Sequence, residues 1–259
     1  MAAIDLFARV RAHVPARMSA RLSAMSLPLS ALLAVPLLMV VTLLLHAEMQ
    51  KPRNKAQVKL WKPLATVICI GIAALSYTQP NHLPVYSGLI VIGLVFSLAG
   101  DWLLIEQNER PRQFVMGLIG FLIAHVFYIA AFAYARSVLG VPFNPGRDLA
   151  IGAVLFLLGA VVYYYMQPSL GAMRQPVLVY MTVISLMVHQ AVSGVELGRG
   201  VLTQGALAAG GALLFYISDF MLAINKFVFD GEGEANSVWV LSTYYCAQLF
   251  IALSASFVL

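Results

Sequence analysis

Apolar residues in this chain come in long runs. Eight runs, at roughly 28–47, 61–78, 85–105, 113–138, 148–166, 176–195, 201–224 and 237–257, are each about long enough to carry an α-helix across a bilayer. Polar or Pro/Gly-rich breaks separate them: Lys51-Pro52-Arg53-Asn54-Lys55, Gln79-Pro80-Asn81-His82, Glu109-Arg110-Pro111-Arg112, Asn144-Pro145-Gly146-Arg147 and Asp230-Gly231-Glu232-Gly233-Glu234. The pattern predicts an all-α, polytopic membrane helix bundle of about eight transmembrane helices. An even count puts both ends of the chain on one side.

The composition agrees. The chain is 61% hydrophobic and 10% charged, with a mean hydropathy of +0.86. A soluble domain carries roughly 25% charged residues, so this chain has too few charges to cover a water-facing surface. It is expected to be an integral, multi-pass membrane protein, in the cell membrane if the source is a bacterium. The formal charge of +5 fits contact with anionic headgroups better than nucleic acid, for which no motif is present. Lys and Arg divide almost evenly between the two sides, so they do not set an orientation. Residues 1–25, with Arg9, Arg11, Arg17 and Arg21, form a basic tail or interfacial segment. The run Leu27–Leu45 is too long for a signal-peptide core and is expected to be the first span. Cys69 and Cys246 lie inside apolar runs and are expected to be buried free thiols.

Against this background the polar residues inside spans stand out. Asp101 falls near the end of span 3 and Asp219 near the end of span 7. A charged Asp in a spanning helix costs on the order of 3 kcal/mol, and a stretch that keeps one usually uses it. At about 1.5 Å of rise per residue, Lys62, Asp101, Tyr180, Asp219, Tyr244 and Tyr245 share one half of the bilayer, opposite the chain ends. His125 and Gln248 lie deeper. The topology therefore predicts one shared cavity open to one face. The order of features in spans 2–4 (Lys62-Pro63, Gly100-Asp101, Ala124-His125) echoes that in spans 6–8 (Gln175-Pro176, Ser218-Asp219, Ala247-Gln248), which suggests a 4+4 parallel internal repeat.

Two carboxylates in such a cavity can divide acid and base roles between them, because burial favours the neutral form of one while a cation or donor favours the charged form of the other. That suits cleavage of an acid-labile ether through an oxocarbenium-like state. No GxSxG motif supports a serine nucleophile, and no HExxH or His cluster supports a metal, so no metal ligands are assigned. A proton-coupled transporter would also place Asp and His at mid-bilayer, and a zinc-dependent membrane lipid hydrolase or a helix-gluing assembly protein are further alternatives.

At these same residues the chain resembles the lysoplasmalogenase family of YhhN-like multi-pass membrane proteins. The matching pieces are Lys62-Pro63-Leu64, Gly100-Asp101-Trp102-Leu103-Leu104, Gly117 through His125 and Tyr128, Tyr180, Gly211-Ala212-Leu213-Leu214-Phe215 through Ser218-Asp219, Asn225-Lys226-Phe227, and Tyr244-Tyr245 with Ala247-Gln248. The resemblance implies a cofactor-free hydrolase that cleaves the vinyl-ether bond of lysoplasmalogens, giving a fatty aldehyde and a glycerophospho-alcohol, with residues 26–259 as the catalytic domain. It implies Asp101 and Asp219 as an acid–base pair with His125 beside them. Tyr180, Tyr245 and Gln248 would orient water or carboxyls, and Lys62 or Lys226 would tune a carboxylate or hold phosphate. The expected partners are a lysophospholipid substrate and membrane lipid, with no nucleic acid and no obligate protein partner.

Overall fold

A computed structural model of the chain describes residues 29–106, 111–195, 204–229 and 234–257. The basic tail expected at residues 1–25 lies outside the described residues. A helical turn, Leu29–Leu32, leads into eight helices: α1 Ala34–Met49, α2 Lys55–Ala74, α3 Pro84–Leu104, α4 Pro111–Val138, α5 Pro145–Met166, α6 Arg174–Ser193, α7 Gln204–Phe227 and α8 Glu234–Ser254. Seven spans are long and apolar enough to cross a membrane, and Val238–Ser254 of α8 is a shorter apolar helix. The protein is thus an all-helical, multi-pass membrane bundle.

Local chemistry sets several of the boundaries. Asn54 caps α2 by accepting the Gln57 N–H, and Asn144 caps α5 by accepting the Arg147 N–H. Proline opens α3, α4 and α5, where its missing N–H would go unused anyway. The cap at Asn54 starts α2 six residues before the apolar run begins, so Lys55 and Lys59 are helical although polar.

Six helices close a ring in which each touches the next: α2–α3, α3–α4, α4–α6, α6–α7, α7–α8 and α8–α2. α1 packs outside against α2 and α8, and α5 packs outside against α6. α5 accordingly leaves Phe156, Leu157, Val161 and Tyr164 exposed on its outer side, where a bilayer would cover them. The same neighbour order holds for α2–α3–α4 and α6–α7–α8. One expectation needs correcting: Cys69 is buried, but Cys246 is exposed on the outside of α8. Its neighbours Tyr245 and Ala247 point inward, and the helical turn carries the residue between them out.

The most extensive contacts are α3 on α4 and α7 on α8. Both depend on backbone-to-backbone approach, the usual basis of helix association where lipid is as apolar as the protein. A Cβ at Gly120 would stand 3.2 Å from the Gly100 nitrogen and 3.3 Å from the Phe96 carbonyl oxygen. A Cβ at Gly211 would meet the Ala247 carbonyl oxygen and the Ile251 nitrogen, each at 3.0 Å. At Gly152 on α5 the nearest atom would be 3.8 Å away. Gly120→Ala and Gly211→Ala should therefore lower the thermal unfolding midpoint in detergent, each by an overpacking cost of roughly 1–3 kcal/mol, while Gly152→Ala should not. Equal midpoints for all three would contradict this account of the helix pairs.

Candidate active site

Lys62 and Thr66 stand one turn apart on α2 and so share a face. That face meets α3 at Asp101, which is 1% exposed. Thr66 Oγ1 donates to Asp101 Oδ2 at 2.5 Å, Tyr244 of α8 donates to the same oxygen at 2.7 Å, and Lys62 Nζ lies 3.6 Å from Oδ1. The chain continues from there. Gln248 Nε2 donates to the Tyr244 hydroxyl at 2.7 Å, Tyr128 of α4 donates to Gln248 Oε1 at 3.3 Å, and Tyr128 meets Ser97 Oγ at 3.3 Å. Tyr245 donates to the Lys62 main-chain carbonyl at 2.9 Å. A buried carboxylate needs this density of donors, because each unmet lone pair would carry its full desolvation cost.

Asp219 belongs to a sparser cluster at the junction of α4, α6 and α7. Tyr180 donates to its Oδ2 at 2.5 Å, and His125 Nε2 lies 4.0 Å from the same oxygen. His125 is fully buried, yet neither ring nitrogen has a hydrogen-bond partner among the described residues. Buried polar atoms are rarely left in that state, and a 4 Å gap between two such groups is the spacing a bridging molecule fills. Aromatic rings hold the imidazole in place, with centroids at 4.8 Å for Phe215 and 5.5 Å for Tyr180. Phe215 also stands edge-on to Tyr244, at 5.4 Å. The Asp101 and Asp219 clusters therefore share one aromatic wall.

The two carboxylates differ in what they face. Asp219 and Tyr180 open on a narrow groove between α4, α6 and α7. Its lining is otherwise apolar, with Phe114 and Leu118 from α4, Val177 and Met181 from α6, and Phe220, Ala223 and Phe227 from α7. Lys226 lies at its outer end, its ammonium 5.4 Å from the centre of the Phe114 ring, which also meets Phe227 edge-on. Asp101 does not line this groove, so the two carboxylates do not open on the one shared cavity that the topology predicted.

The structure thus brings Lys62, Asp101, His125, Tyr180, Asp219, Tyr245 and Gln248 into one ring of helices, and Lys226 to the rim of the groove. Tyr245 engages main chain, not a carboxylate. Thr66 and Tyr128 join the network without having been singled out as site residues, and Tyr244, read only as a polar group at the right depth, turns out to hold Asp101. The spacing of Thr66, four residues after Lys62, carried that signal. His189 meets the Asp148 carbonyl at 3.0 Å. That contact belongs to a second polar cluster at the far end of the bundle, where Arg136 binds Asp148 at 2.7 Å and Arg147 donates to the Ser193 carbonyl. Among the described residues no three His, Cys, Asp or Glu side chains gather as a metal site.

Comparison with known proteins bears on this arrangement. Lysoplasmalogenase TMEM86A of Bos taurus is 38% identical over 168 residues, 64% of this chain and 64% of its own length. Lysoplasmalogenase TMEM86B of Homo sapiens is 35% identical over 170 residues, 66% of this chain and 64% of that protein. A lysoplasmalogenase of Mycobacterium bovis is 32% identical over 166 residues, 62% of this chain and 58% of that protein. The matched region thus spans a little under two thirds of these relatives. No solved structure matches the chain. The profile of the YhhN family matches residues 57–255, a stretch that takes in all six ring helices and every polar side chain of the site, and the chain belongs to the YhhN family.

Proposed function

We propose that this protein is a membrane-embedded hydrolase that cleaves the vinyl-ether bond of lysoplasmalogens, releasing a fatty aldehyde and a glycerophospho-alcohol. The observation that carries the reading is that Asp219 lines an apolar groove and has beside it a fully buried His125 whose ring nitrogens have no hydrogen-bond partner among the described residues. Relatives named lysoplasmalogenase support the substrate class. The chemistry needs few parts. A proton must reach the β-carbon of the vinyl ether, water must then add to the resulting oxocarbenium carbon, and the hemiacetal must collapse.

Asp101 and Asp219 serve this mechanism in unequal roles: Asp219 gives and takes the protons, and Asp101 acts through its charge. Asp219 reaches the groove and is the proton donor to carbon. Tyr180 occupies its Oδ2, which leaves the transferable proton to Oδ1. A water held between His125 and Asp219 attacks the cation, and the Asp219 carboxylate, having given up one proton, takes one from that water. The hemiacetal hydroxyl then loses its proton as the C–O bond breaks, and the glycerol oxygen gains one, so the net reaction consumes one water. Asp101, held by Lys62, Thr66 and Tyr244, is the charged member. Behind the shared aromatic wall its charge acts on the developing cation in a medium of low dielectric, where a fixed charge counts most.

The test is turnover of purified protein in detergent on a lyso vinyl-ether lipid, with aldehyde followed by mass spectrometry. Asp219→Asn should lose roughly 10²–10⁴-fold in kcat, the range for a positioned acid or base. Asp101→Asn should also be impaired, but less. Tyr180→Phe should lose activity while still folding. A lysoacyl lipid should release no fatty acid. Near wild-type rates in both Asp variants would end the assignment.

A further inference from the structure

Two lysines were candidates for the phosphate of the substrate, and the structure separates them. Lys62 is 11% exposed at its side chain, does not line the groove, and holds its ammonium 3.6 Å from Asp101. Lys226 does not line the groove either, but its ammonium stands 5.4 Å from the centre of the Phe114 ring, which does line it, at the groove's outer end. It follows Asp219 by seven residues on α7, which is about 10 Å of helical rise. In an ether lysophospholipid the path from phosphorus through glycerol to the vinyl carbons, P–O–C–C–C–O–C=C, covers about that length when extended. One molecule can therefore touch both groups at once, head outward and reactive bond inward.

The wall between them favours the same orientation. Phe114, Val177, Ala223 and Phe227 offer no side-chain hydrogen-bond donor to a hydrated head group.

We propose that the groove between α4, α6 and α7 is a subsite for single-chain ether phospholipids. Lys226 binds the phosphate there, Ala223 keeps the passage open, and Lys62 is a positioning residue for Asp101. This rests on the hydrolase reading above.

The experiment compares two substrates, a lysoplasmalogen and the corresponding 1-alkenylglycerol without phosphate. Lys226→Met should raise KM for the phospholipid roughly 10- to 100-fold, the worth of one hydrogen bond to a charged group, while changing its kcat far less. The loss on the phospholipid should exceed the loss on the headless lipid by at least about tenfold. Lys226→Arg should recover most of it. Lys62→Met should instead lower kcat on both substrates alike. Ala223→Phe should cut kcat/KM on both, and Ala223→Leu should do so less, with unfolding midpoints no lower than wild type. Equal losses on the two substrates in Lys226→Met would overturn the proposal. So would a phosphate-dependent loss in Lys62→Met, or unimpaired turnover in a folded Ala223→Phe. Absence of aldehyde from either substrate with wild-type protein would remove the hydrolase reading itself, and this proposal with it.

Discussion

A carboxylate inside a bilayer has no water to fall back on, so the protein must supply every partner it needs. Asp101 obtains three, from α2 and α8, which lie far apart in sequence: Lys62, Thr66 and Tyr244. These contacts cross the seam where the last helix of the ring meets the first. Other polar contacts follow the same side of the bundle, with Tyr245 on the Lys62 carbonyl, Tyr86 on Ser254 and Ser30 on Ser256. Removing one partner of a buried pair typically costs about 3–5 kcal/mol, because the other charge is left unmet. The arrangement that keeps Asp101 in the membrane is thus also what closes the ring.

The second aspartate lies at the corresponding seam of the other half, between α4 and α6. Each Asp has a partner 39 residues earlier on the preceding inward-facing helix, Lys62 for Asp101 and Tyr180 for Asp219. The halves then diverge. Around Asp101 a hydrogen-bonded chain of Tyr244, Gln248, Tyr128 and Ser97 fills the space. Around Asp219 the corresponding region carries His125, whose ring nitrogens have no hydrogen-bond partner among the described residues, and small or apolar residues that leave a groove. One seam is sealed and the other is open. The echo of features along the sequence is consistent with this likeness of plan, and the difference between Lys62 with Thr66 on one side and Tyr180 with Ile184, which has no donor, on the other accounts for the unlike outcome.

How much of this was legible in the sequence depends on what the bilayer dictates. Hydrocarbon thickness sets span length, so seven of the helices follow from run lengths, while the described apolar part of α8, Val238–Ser254, is shorter. The expense of polar groups in lipid makes Asp101, Asp219 and His125 conspicuous, and helix rise places them at shared depth. Helix rotation is another matter. Lipid-facing and core-facing sides of a spanning helix are both apolar, so the pattern lacks the contrast that orients a helix at a soluble surface. Cys246 was misjudged for that reason, since it differs from its buried neighbours in direction and not in chemistry. The groove was invisible on the same grounds. Leu118, Val177, Met181 and Ala223 are ordinary membrane residues, and only their placement leaves a space. A polar partner such as Thr66 was muted because a threonine hydroxyl in a membrane helix can satisfy itself on its own backbone, as Thr42 does on Leu38 and Thr182 on Leu178.

The contrast between the two carboxylates explains why a reaction of this kind would retain both. A group that gives a proton to carbon has to touch its substrate and be reloaded, so it cannot be locked on all sides. A group whose charge favours a cation is most useful when it cannot move and when no water screens it. These demands conflict in one side chain. Asp219 has one firm hydrogen bond and an open face, while Asp101 has a cation, two hydroxyl donors and 1% exposure. Phe215 lets them share a wall while keeping their surroundings separate, since its ring meets His125 on one side and Tyr244 on the other. A smaller residue there would remove the ring that His125 and Tyr244 both pack against, and with it part of the apolar packing between the two carboxylate networks.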